Sequence, residues 1–198
     1  MCIILYKPKN VKLPNLEILD NCFYNNPDGT GFMYQHNNKV IINKGFMNFN
    51  SFVNAINQLQ DIINLNLVIH FRLASHGKVT KGNCHPFPIS KNITRLTKTT
   101  TTTNQAIVHN GIISFCSDPL RKYSDTQIFI KNHLSKLDVT NPAIQNLIQE
   151  STNSKYIIMT RDNIYLLGNF IEKNGVYYSN NSYNYYYDDY HYYTEFNN

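Results

Sequence analysis

The sequence predicts an α+β protein in which helices are grouped between antiparallel strand pairs. Short apolar runs flank polar turn signals at residues 36–38 and 161–163, a pattern typical of β-hairpins. Between these two hairpins, apolar residues recur at helical spacing in two separate stretches. Helices and strand pairs grouped in this way favour α+β layering over alternating βαβ units.

The elements of the first half follow from short apolar patterns. Residues 2–6 are predicted to form a strand and 16–23 a short helix. A hairpin is expected over residues 32–42, after a Gly-rich turn. Residues 49–63 carry the clearest amphipathic helix, because their apolar side chains follow an i, i+3, i+4, i+7 pattern. Residues 67–72 return to strand character and are apolar enough to be buried on both faces.

The second half begins with an ordered loop over residues 74–88, which is rich in Gly, Pro, Ser and His. The threonine-rich run 97–103 predicts an exposed connector or a frayed strand. Further elements are expected in this order: strands at 106–109 and 112–115, helices at 124–137 and 142–150, and a hairpin over 156–168.

Length and composition favour one large domain followed by a tail. The chain has 198 residues, of which 42% are hydrophobic, enough for a substantial core. Residues 1–176 are assigned to the domain, and the Tyr/Asn-rich residues 177–198 to the tail, because aliphatic residues become scarce after Val176. The tail composition fits a partner-docking segment or an edge strand against the sheet, with disorder as the alternative.

Charge and cysteine usage narrow the function classes. The net charge of +5 is not concentrated in any dense Lys/Arg cluster, which argues against nucleic acid as a partner. The spacing of the four cysteines matches no paired zinc pattern, so neither a metal nor a cofactor is expected. The N-terminal apolar run is too short for a signal peptide, and no stretch is long enough to cross a membrane. A cytoplasmic, reduced protein is therefore predicted.

The first residues carry a possible nucleophile. Cys2 directly follows the initiator Met1, which is usually removed before a small residue. Cys2 would then bear both a thiol and an α-amine, whose pKa of roughly 7.7–8.0 suits it to act as a base near neutral pH. The alternative is that Cys2 is only a small apolar residue in a buried first strand.

Six segments occur in an order that resembles the glutaminase domain of class II glutamine amidotransferases, which are N-terminal-nucleophile hydrolases. The resemblance extends from Cys2 to about Phe129. It implies a four-layer αββα sandwich with two mostly antiparallel sheets. The segments are Cys2, Asp28-Gly29-Thr30-Gly31, His70-Phe71-Arg72-Leu73-Ala74-Ser75-His76-Gly77, Asn83-Cys84-His85-Pro86-Phe87, His109-Asn110-Gly111-Ile112-Ile113 and Ser124-Asp125-Thr126.

The resemblance implies a catalytic role for three residues. The sulfur of Cys2 would attack the side-chain amide of glutamine, forming a γ-glutamyl thioester and releasing ammonia. Asn110 and Gly111 would form the oxyanion hole through one side-chain NH₂ and one backbone N–H, donors whose loss typically costs about 10²–10³ in rate. Locally, Asn110-Gly111 fits equally well as a type I′ turn between two strands.

Four residues match the substrate-binding positions of the family. Arg72 would hold the α-carboxylate of glutamine, since its planar guanidinium suits a bidentate contact, although a structural ion pair is the alternative. Asp125 would bind the α-ammonium group, or would stabilise a helix start. Ser75 and His76 would contact the bound glutamine; Ser75 stands where relatives usually have Thr.

Three further residues are expected to support the site. Asp28 and Gly29 would shape the backbone beside Cys2 rather than act chemically. His85 lies near the pocket in relatives, and its alternative reading is a buried histidine that stabilises a loop.

The resulting hypothesis is a stand-alone glutaminase that acts on L-glutamine. The glutaminase portion occupies nearly the whole chain, and no Walker-type phosphate loop appears, so the ammonia acceptor is expected to be a separate synthase or ligase. One alternative is a catalytically silent relative that retains Met1 and serves as a binding or assembly module. Another is a hydrolase of the same superfamily with a different amide substrate.

Overall fold

A computed structural model describes residues 2–184. The strands within this range are β1 (Ile3–Lys7), β2 (Thr30–His36), β3 (Lys39–Phe46), β4 (Leu67–Phe71), β5 (Phe87–Pro88), β6 (Thr100–Thr103), β7 (Gln105–Asn110), β8 (Lys155–Thr160), β9 (Ile164–Leu167), β10 (Ile171–Lys173) and β11 (Val176–Tyr178). The α-helices are α1 (Leu16–Tyr24), α2 (Phe49–Asn57), α3 (Ile93–Leu96), α4 (Asp125–Asn132) and α5 (Pro142–Thr152). Short 3₁₀ turns cover Ile62–Asn64, Lys81–Asn83 and Leu134–Lys136.

The strands form two antiparallel sheets, which confirms the predicted α+β class. The larger sheet has seven strands in the order β10-β11-β1-β4-β2-β3-β6, and the smaller has four in the order β5-β7-β8-β9. Strand β1 lies inside the larger sheet, between β11 and β4. Its neighbour β4 also pairs with β2, so β1, β4 and β2 are consecutive strands.

The helices and sheets form four layers: helices, the larger sheet, the smaller sheet, and helices again. An apolar cluster lies between each pair of neighbouring layers, which makes three clusters. Alternation along β1 shows the pattern: Ile3 and Leu5 pack in the cluster with α1 and α2, whereas Ile4 packs between the sheets. Val108 and Ile157 contribute to the cluster between the sheets from the smaller one. The third cluster packs the other face of the smaller sheet against α3, α4 and α5.

Two predicted helices are shorter than their apolar periodicity suggests. The helix expected over 49–63 ends at Asn57, and Asp61 takes a left-handed conformation (φ 50°) before a 3₁₀ turn. The helix expected through Leu137 ends at Asn132, because His133 leaves helical backbone angles at ψ −70° and φ −123°. Beyond the helix ends, Leu59, Ile62 and Leu134 still pack against the core, whereas Ile63 and Leu137 are exposed.

The strand prediction for residues 112–115 is wrong. The chain leaves the smaller sheet after Asn110, and the N–H of Ile113 donates to the Asp125 carboxylate at 2.8 Å instead of to a neighbouring strand. Asn110-Gly111 is therefore not a hairpin turn: β7 pairs with β5 and β8.

The threonine run forms an edge strand. Within β6, Thr101 and Thr103 are buried whereas Thr100 and Thr102 are exposed, and the strand pairs with β3. The proposed boundary between residues 176 and 177 falls inside β11, which pairs with β1. Tyr177 and Tyr178 thus belong to the larger sheet, and residues 185–198 lie outside the described residues.

Candidate active site

Three sequence segments meet at one end of three neighbouring strands. Ile3 pairs with Phe71, and Phe71 also pairs with Thr30. This register places Cys2, the residue before β1, and Gly29, the residue before β2, next to Arg72 on its two opposite sides. The N–H of Arg72 donates to the carbonyl of Gly29 at 2.9 Å, and the N–H of Asp28 donates to the carbonyl of Arg72 at 2.9 Å.

The thiol of Cys2 lies on the backbone of Leu73. Its Sγ is 3.3 Å from both the N–H and the carbonyl oxygen of that residue. Of the four cysteines, all unpaired, only Cys2 is not fully buried; Cys22, Cys84 and Cys116 lie inside the protein. Cys2 is therefore the cysteine that a small molecule could reach.

Burial controls the protonation of the Cys2 thiol. Desolvation raises its pKa, while the hydrogen bond from Leu73 and the positive charge of Arg72 act in the opposite direction. Because burial is the largest influence, the thiol is protonated at neutral pH, and a nucleophilic reaction needs a base to remove its proton.

Asp28 and Gly29, predicted to shape the backbone beside Cys2, contact residues 72–74 and not Cys2 itself. One carboxylate oxygen of Asp28 accepts a hydrogen bond from the N–H of Ala74 at 2.8 Å. Gly29 joins Arg72 through the backbone bond already described. Asp28 and Gly29 thus hold the turn at residues 72–74, on which the Cys2 sulfur lies.

Arg72 is 2% exposed, and its guanidinium is occupied by backbone oxygens. It donates to the carbonyl of His76 at 2.9 Å and to that of Lys78 at 3.2 Å, with a longer contact of 3.5 Å to Gly77. The one ion pair within residues 2–184 is Arg161–Asp162, so Arg72 is not part of a structural ion pair. Its predicted contact with a substrate carboxylate stays a prediction.

Asn110 is linked to Cys2 through the segment after β11. Its Nδ2 donates to the hydroxyl of Ser179 at 2.8 Å, and the next residue, Asn180, donates from Nδ2 to the carbonyl of Cys2 at 2.7 Å. Asn110 is 7% exposed, and its Oδ1 has no hydrogen-bond partner among the residues described. Gly111 follows directly, packed against the side chain of Ser154.

Asp125 begins α4 and uses its carboxylate to hold backbone groups. Oδ2 accepts from the N–H of Ile113 at 2.8 Å, and Oδ1 accepts from the N–H of Thr126 at 2.8 Å. The hydroxyl of Thr126 lies 2.9 Å from Nδ1 of His109 and 3.3 Å from Oδ1 of Asp125. Asp125 is thereby connected to the residue that precedes Asn110.

A cavity of about 600 Å³ brings together three of the predicted substrate-binding residues, Ser75, His76 and Asp125. Its remaining walls come from the loop 117–123 and from Gly77 and Lys78. Gly77, with φ +74°, lets these walls approach, since a Cβ there would lie 2.8 Å from the backbone nitrogen of Ser124. Cys2, Arg72 and Asn110 do not line this cavity. Cys2 contacts Leu73, and Arg72 donates to His76 and Lys78, which do line it, whereas Asn110 contacts Ser179.

His85 belongs to a group of three buried histidines with His70 and His109. The rings of His70 and His85 are 4.2 Å apart, and those of His85 and His109 are 6.4 Å apart. Neither ring nitrogen of His85 has a hydrogen-bond partner within the described range. His85 therefore does not stabilise its loop by hydrogen bonds; it packs between rings, with Phe87 edge-on at 4.6 Å.

Burial keeps all three histidines neutral. It lowers the pKa of His70 to about 3 and that of His109 to about 3. The pKa of His85 is also held well below its usual range. Burial is the main cause, and the neighbouring His70, His109, Arg72 and Lys44 lower it further. Across residues 2–184 no group of three or more His, Cys, Asp or Glu side chains is arranged to hold a metal ion.

Sequence reasoning missed two residues that contact the predicted site. Ser179 and Asn180 were assigned to the tail, yet they bond to Asn110 and Cys2. No motif marks them, because their position depends on the pairing of β11 with β1. An isolated Ser-Asn pair after a strand is indistinguishable from an ordinary turn.

In comparisons with known proteins, the chain matches no protein-family model and no curated protein. Over the described residues, none of the helices has the length and apolar character needed to cross a membrane.

Proposed function

We propose that this protein is a glutaminase of the class II glutamine amidotransferase type, built on the N-terminal-nucleophile hydrolase fold. The layer order of helices, two antiparallel sheets and helices is compatible with the αββα sandwich of that superfamily. A nucleophile just before an inner strand of the larger sheet also agrees with it. The proposal depends on one observation above all: the Cys2 sulfur lies on the turn after Arg72, and Asn110 is linked to the same strand end.

Because the thiol is protonated, the proposed mechanism needs a base, and the α-amine of Cys2 is the group assigned to that role. Burial raises the thiol pKa, so the sulfur gains nucleophilicity only when a nearby base removes its proton. In the mature chain, the α-amine of Cys2 would accept that proton, since its pKa of roughly 7.7–8.0 leaves part of it unprotonated near pH 7.5. Removal of Met1, which lies outside the described residues, is required for this step.

The reaction follows from these groups. The sulfur attacks the side-chain amide carbon of glutamine, and the thiol proton passes to the α-amine. Asn110 and Gly111 stabilise the negative oxygen that forms, the amine returns the proton to the departing nitrogen, and ammonia leaves. Water then cleaves the thioester C–S bond, which gives glutamate and restores the thiol.

Substrate would enter through the cavity that contains Ser75, His76 and Asp125. A carboxylate at its wall suits the α-ammonium group of a free amino acid, because an opposite charge in a partly enclosed site stabilises that cation. For Arg72 to bind the α-carboxylate, its guanidinium must exchange a carbonyl of residues 76–78 for the ligand. The acceptor of the ammonia, and whether it is a separate synthase or ligase, stay predictions.

The test is release of glutamate and ammonia from L-glutamine by protein whose loss of Met1 is verified by intact mass. Cys2→Ala should reduce turnover to background, because the other three thiols are fully buried. Cys116→Ala removes a buried thiol from the cluster between the smaller sheet and its helices, and should retain activity. Absence of turnover in the processed wild type, with candidate partners added, or full activity in Cys2→Ala, would refute the proposal. In that case a binding or assembly role becomes the better hypothesis.

A further inference from the structure

The segment after β11 ends its pairing with β1 in an unusual way. The N–H of Ser179 donates to the carbonyl of Ile4 at 2.9 Å, as an antiparallel ladder requires. The return bond from the N–H of Ile4 goes to the Ser179 hydroxyl at 2.9 Å, not to its carbonyl. The Ser179 carbonyl instead accepts from Nζ of Lys155 on β8. A side chain thus replaces a backbone acceptor at the strand end nearest Cys2.

This substitution places the Ser179 hydroxyl between two elements. The same oxygen accepts from Ile4, two residues after the nucleophile, and from Nδ2 of Asn110. Ser179 is fully buried, so water does not compete for these bonds. Because one Nδ2 hydrogen is held by Ser179, the orientation of the Asn110 amide and of its second hydrogen is restricted.

Asn180 restrains the nucleophile itself. Its Nδ2 donates to the carbonyl of Cys2 at 2.7 Å, and its Oδ1 accepts from the N–H of Ser182 at 3.0 Å. Both ends of the side-chain amide are therefore used. The Cys2 backbone is held on this side by Asn180, while its sulfur is held on the other by Leu73.

We infer that Ser179 and Asn180 are positioning residues: Ser179 orients the Asn110 amide toward the oxyanion, and Asn180 fixes the backbone of Cys2. The inference rests on the proposed glutaminase function for its chemical meaning. Both residues lie in the Tyr/Asn-rich segment, outside every motif of the resemblance. Their proposed role is to align the nucleophile with the oxyanion donor. Such alignment matters because a misplacement of about 1 Å can cost roughly 10²-fold in rate.

The kinetic test compares Ser179→Ala with Ser182→Ala as the matched control. Ser182 lies three residues after Ser179, and its hydroxyl makes no hydrogen bond among the described residues. Ser179→Ala should lower kcat about 10–100-fold with KM for L-glutamine nearly unchanged, because the oxyanion contact is made in the transition state. In an Asn110→Ala background the same change should cost less than about 2-fold, because Ser179 acts through Asn110. An equal loss in both backgrounds would mean a merely structural role and would overturn the inference.

Asn180→Ala provides a second, milder variant, with the exposed Asn181→Ala as its control. It should lower kcat while Asn181→Ala leaves kcat unchanged; equal kcat values for the two would overturn the role of Asn180.

A spectroscopic readout separates this inference from the proposed function. In wild-type protein the side-chain NH₂ protons of Asn110 should exchange slowly with water, and Ser179→Ala should accelerate that exchange at least about 10-fold, whereas Ser182→Ala should not. Unchanged exchange in Ser179→Ala rejects the inference even in an active enzyme. If the processed wild type lacks glutaminase activity, the proposed function fails, and the exchange result still decides whether Ser179 orients Asn110.

Discussion

Gly111 illustrates how a single residue of the candidate site depends on a distant one. A Cβ at this position would lie 2.1 Å from Oγ and 2.6 Å from Cβ of Ser154, far inside contact distance. Ser154 precedes β8, the strand that pairs with β7 and Asn110. The predicted oxyanion donor thus fits only because Gly111 has no side chain.

Gly111→Ala should therefore destabilise the protein and abolish glutaminase activity. The added methyl group must displace the end of β7 or the turn before β8, and overpacking of this kind typically costs about 1–3 kcal/mol. Chemical denaturation and a glutamine turnover assay measure the two effects.

A second change, Ser154→Gly, removes both clashing atoms and should restore part of the lost stability of Gly111→Ala. Recovery remains partial, because φ of +154° at residue 111 is itself unfavourable for alanine. A double variant no more stable than Gly111→Ala would show that the two side chains do not compete for this space.

At the scale of elements, the start of α4 links fold and candidate chemistry. Ser124 and Gln127 form a capping box: the Ser124 hydroxyl accepts from the N–H of Gln127, and Oε1 of Gln127 accepts from the N–H of Ser124 at 2.9 Å. Asp125 is the first residue of the helix, so the box sets the position of its carboxylate in the cavity wall.

Ser124→Ala should lower the free energy of unfolding by about 1 kcal/mol, the usual cost of an N-cap. It should also raise KM for L-glutamine, because Asp125 loses its fixed position in the cavity.

Asn141→Ala serves as control, since Asn141 caps α5 through the N–H of Ala143 at 2.9 Å and does not line the cavity. It should lower stability by a similar amount and leave KM unchanged. A rise of KM in Asn141→Ala equal to that in Ser124→Ala would contradict the link between the cap and the substrate site.

For the whole molecule, the buried histidines make stability depend on pH where the sheets meet. His70 lies on β4 of the larger sheet, His109 lies on β7 of the smaller, and His85 packs beside both. All three are neutral in the folded protein because burial lowers their pKa. In the unfolded chain they protonate near pH 6.5, so the unfolded state binds more protons below that pH.

The free energy of unfolding should consequently fall as pH drops from 6.5 toward about 3, the folded-state value of His70 and His109. Each histidine contributes up to about 1.4 kcal/mol per pH unit, so together they contribute up to about 4 kcal/mol per pH unit. Urea unfolding between pH 5 and 8 measures the slope.

His85→Leu removes one of the three titrating groups. It should therefore reduce the pH slope of the unfolding free energy by up to about 1.4 kcal/mol per pH unit. The matched control is Val108→Ala, which creates a cavity between the sheets without removing a titrating group. It should lower stability equally at all pH values. A His85→Leu slope identical to that of the wild type would show that His85 is not a buried neutral group.

Local sequence patterns were sufficient to predict the elements whose position depends on burial of an apolar face alone. Alternating or continuous apolar residues predicted β1, β4 and both hairpins, because a buried face requires them. The same patterns failed at the ends of elements: Asp61 and His133 end helical hydrogen bonding although the apolar periodicity continues. They also could not decide between a hairpin turn and a strand end at Asn110, which depends on Asp125 capturing the N–H of Ile113.

By itself, the sequence determined the α+β class, the reactive candidate Cys2 and the order of the segments that accompany it. Those properties depend on residue type and spacing, which are local. Only the tertiary structure decided that Arg72 holds backbone carbonyls and that Ser179 and Asn180 reach Asn110 and Cys2. The contacts of Ser179 and Asn180 join residues about 70 and nearly 180 positions apart, whereas those of Arg72 lie within one short loop. They arise from strand pairing across the sheet, and the pairing energy is shared among many residues.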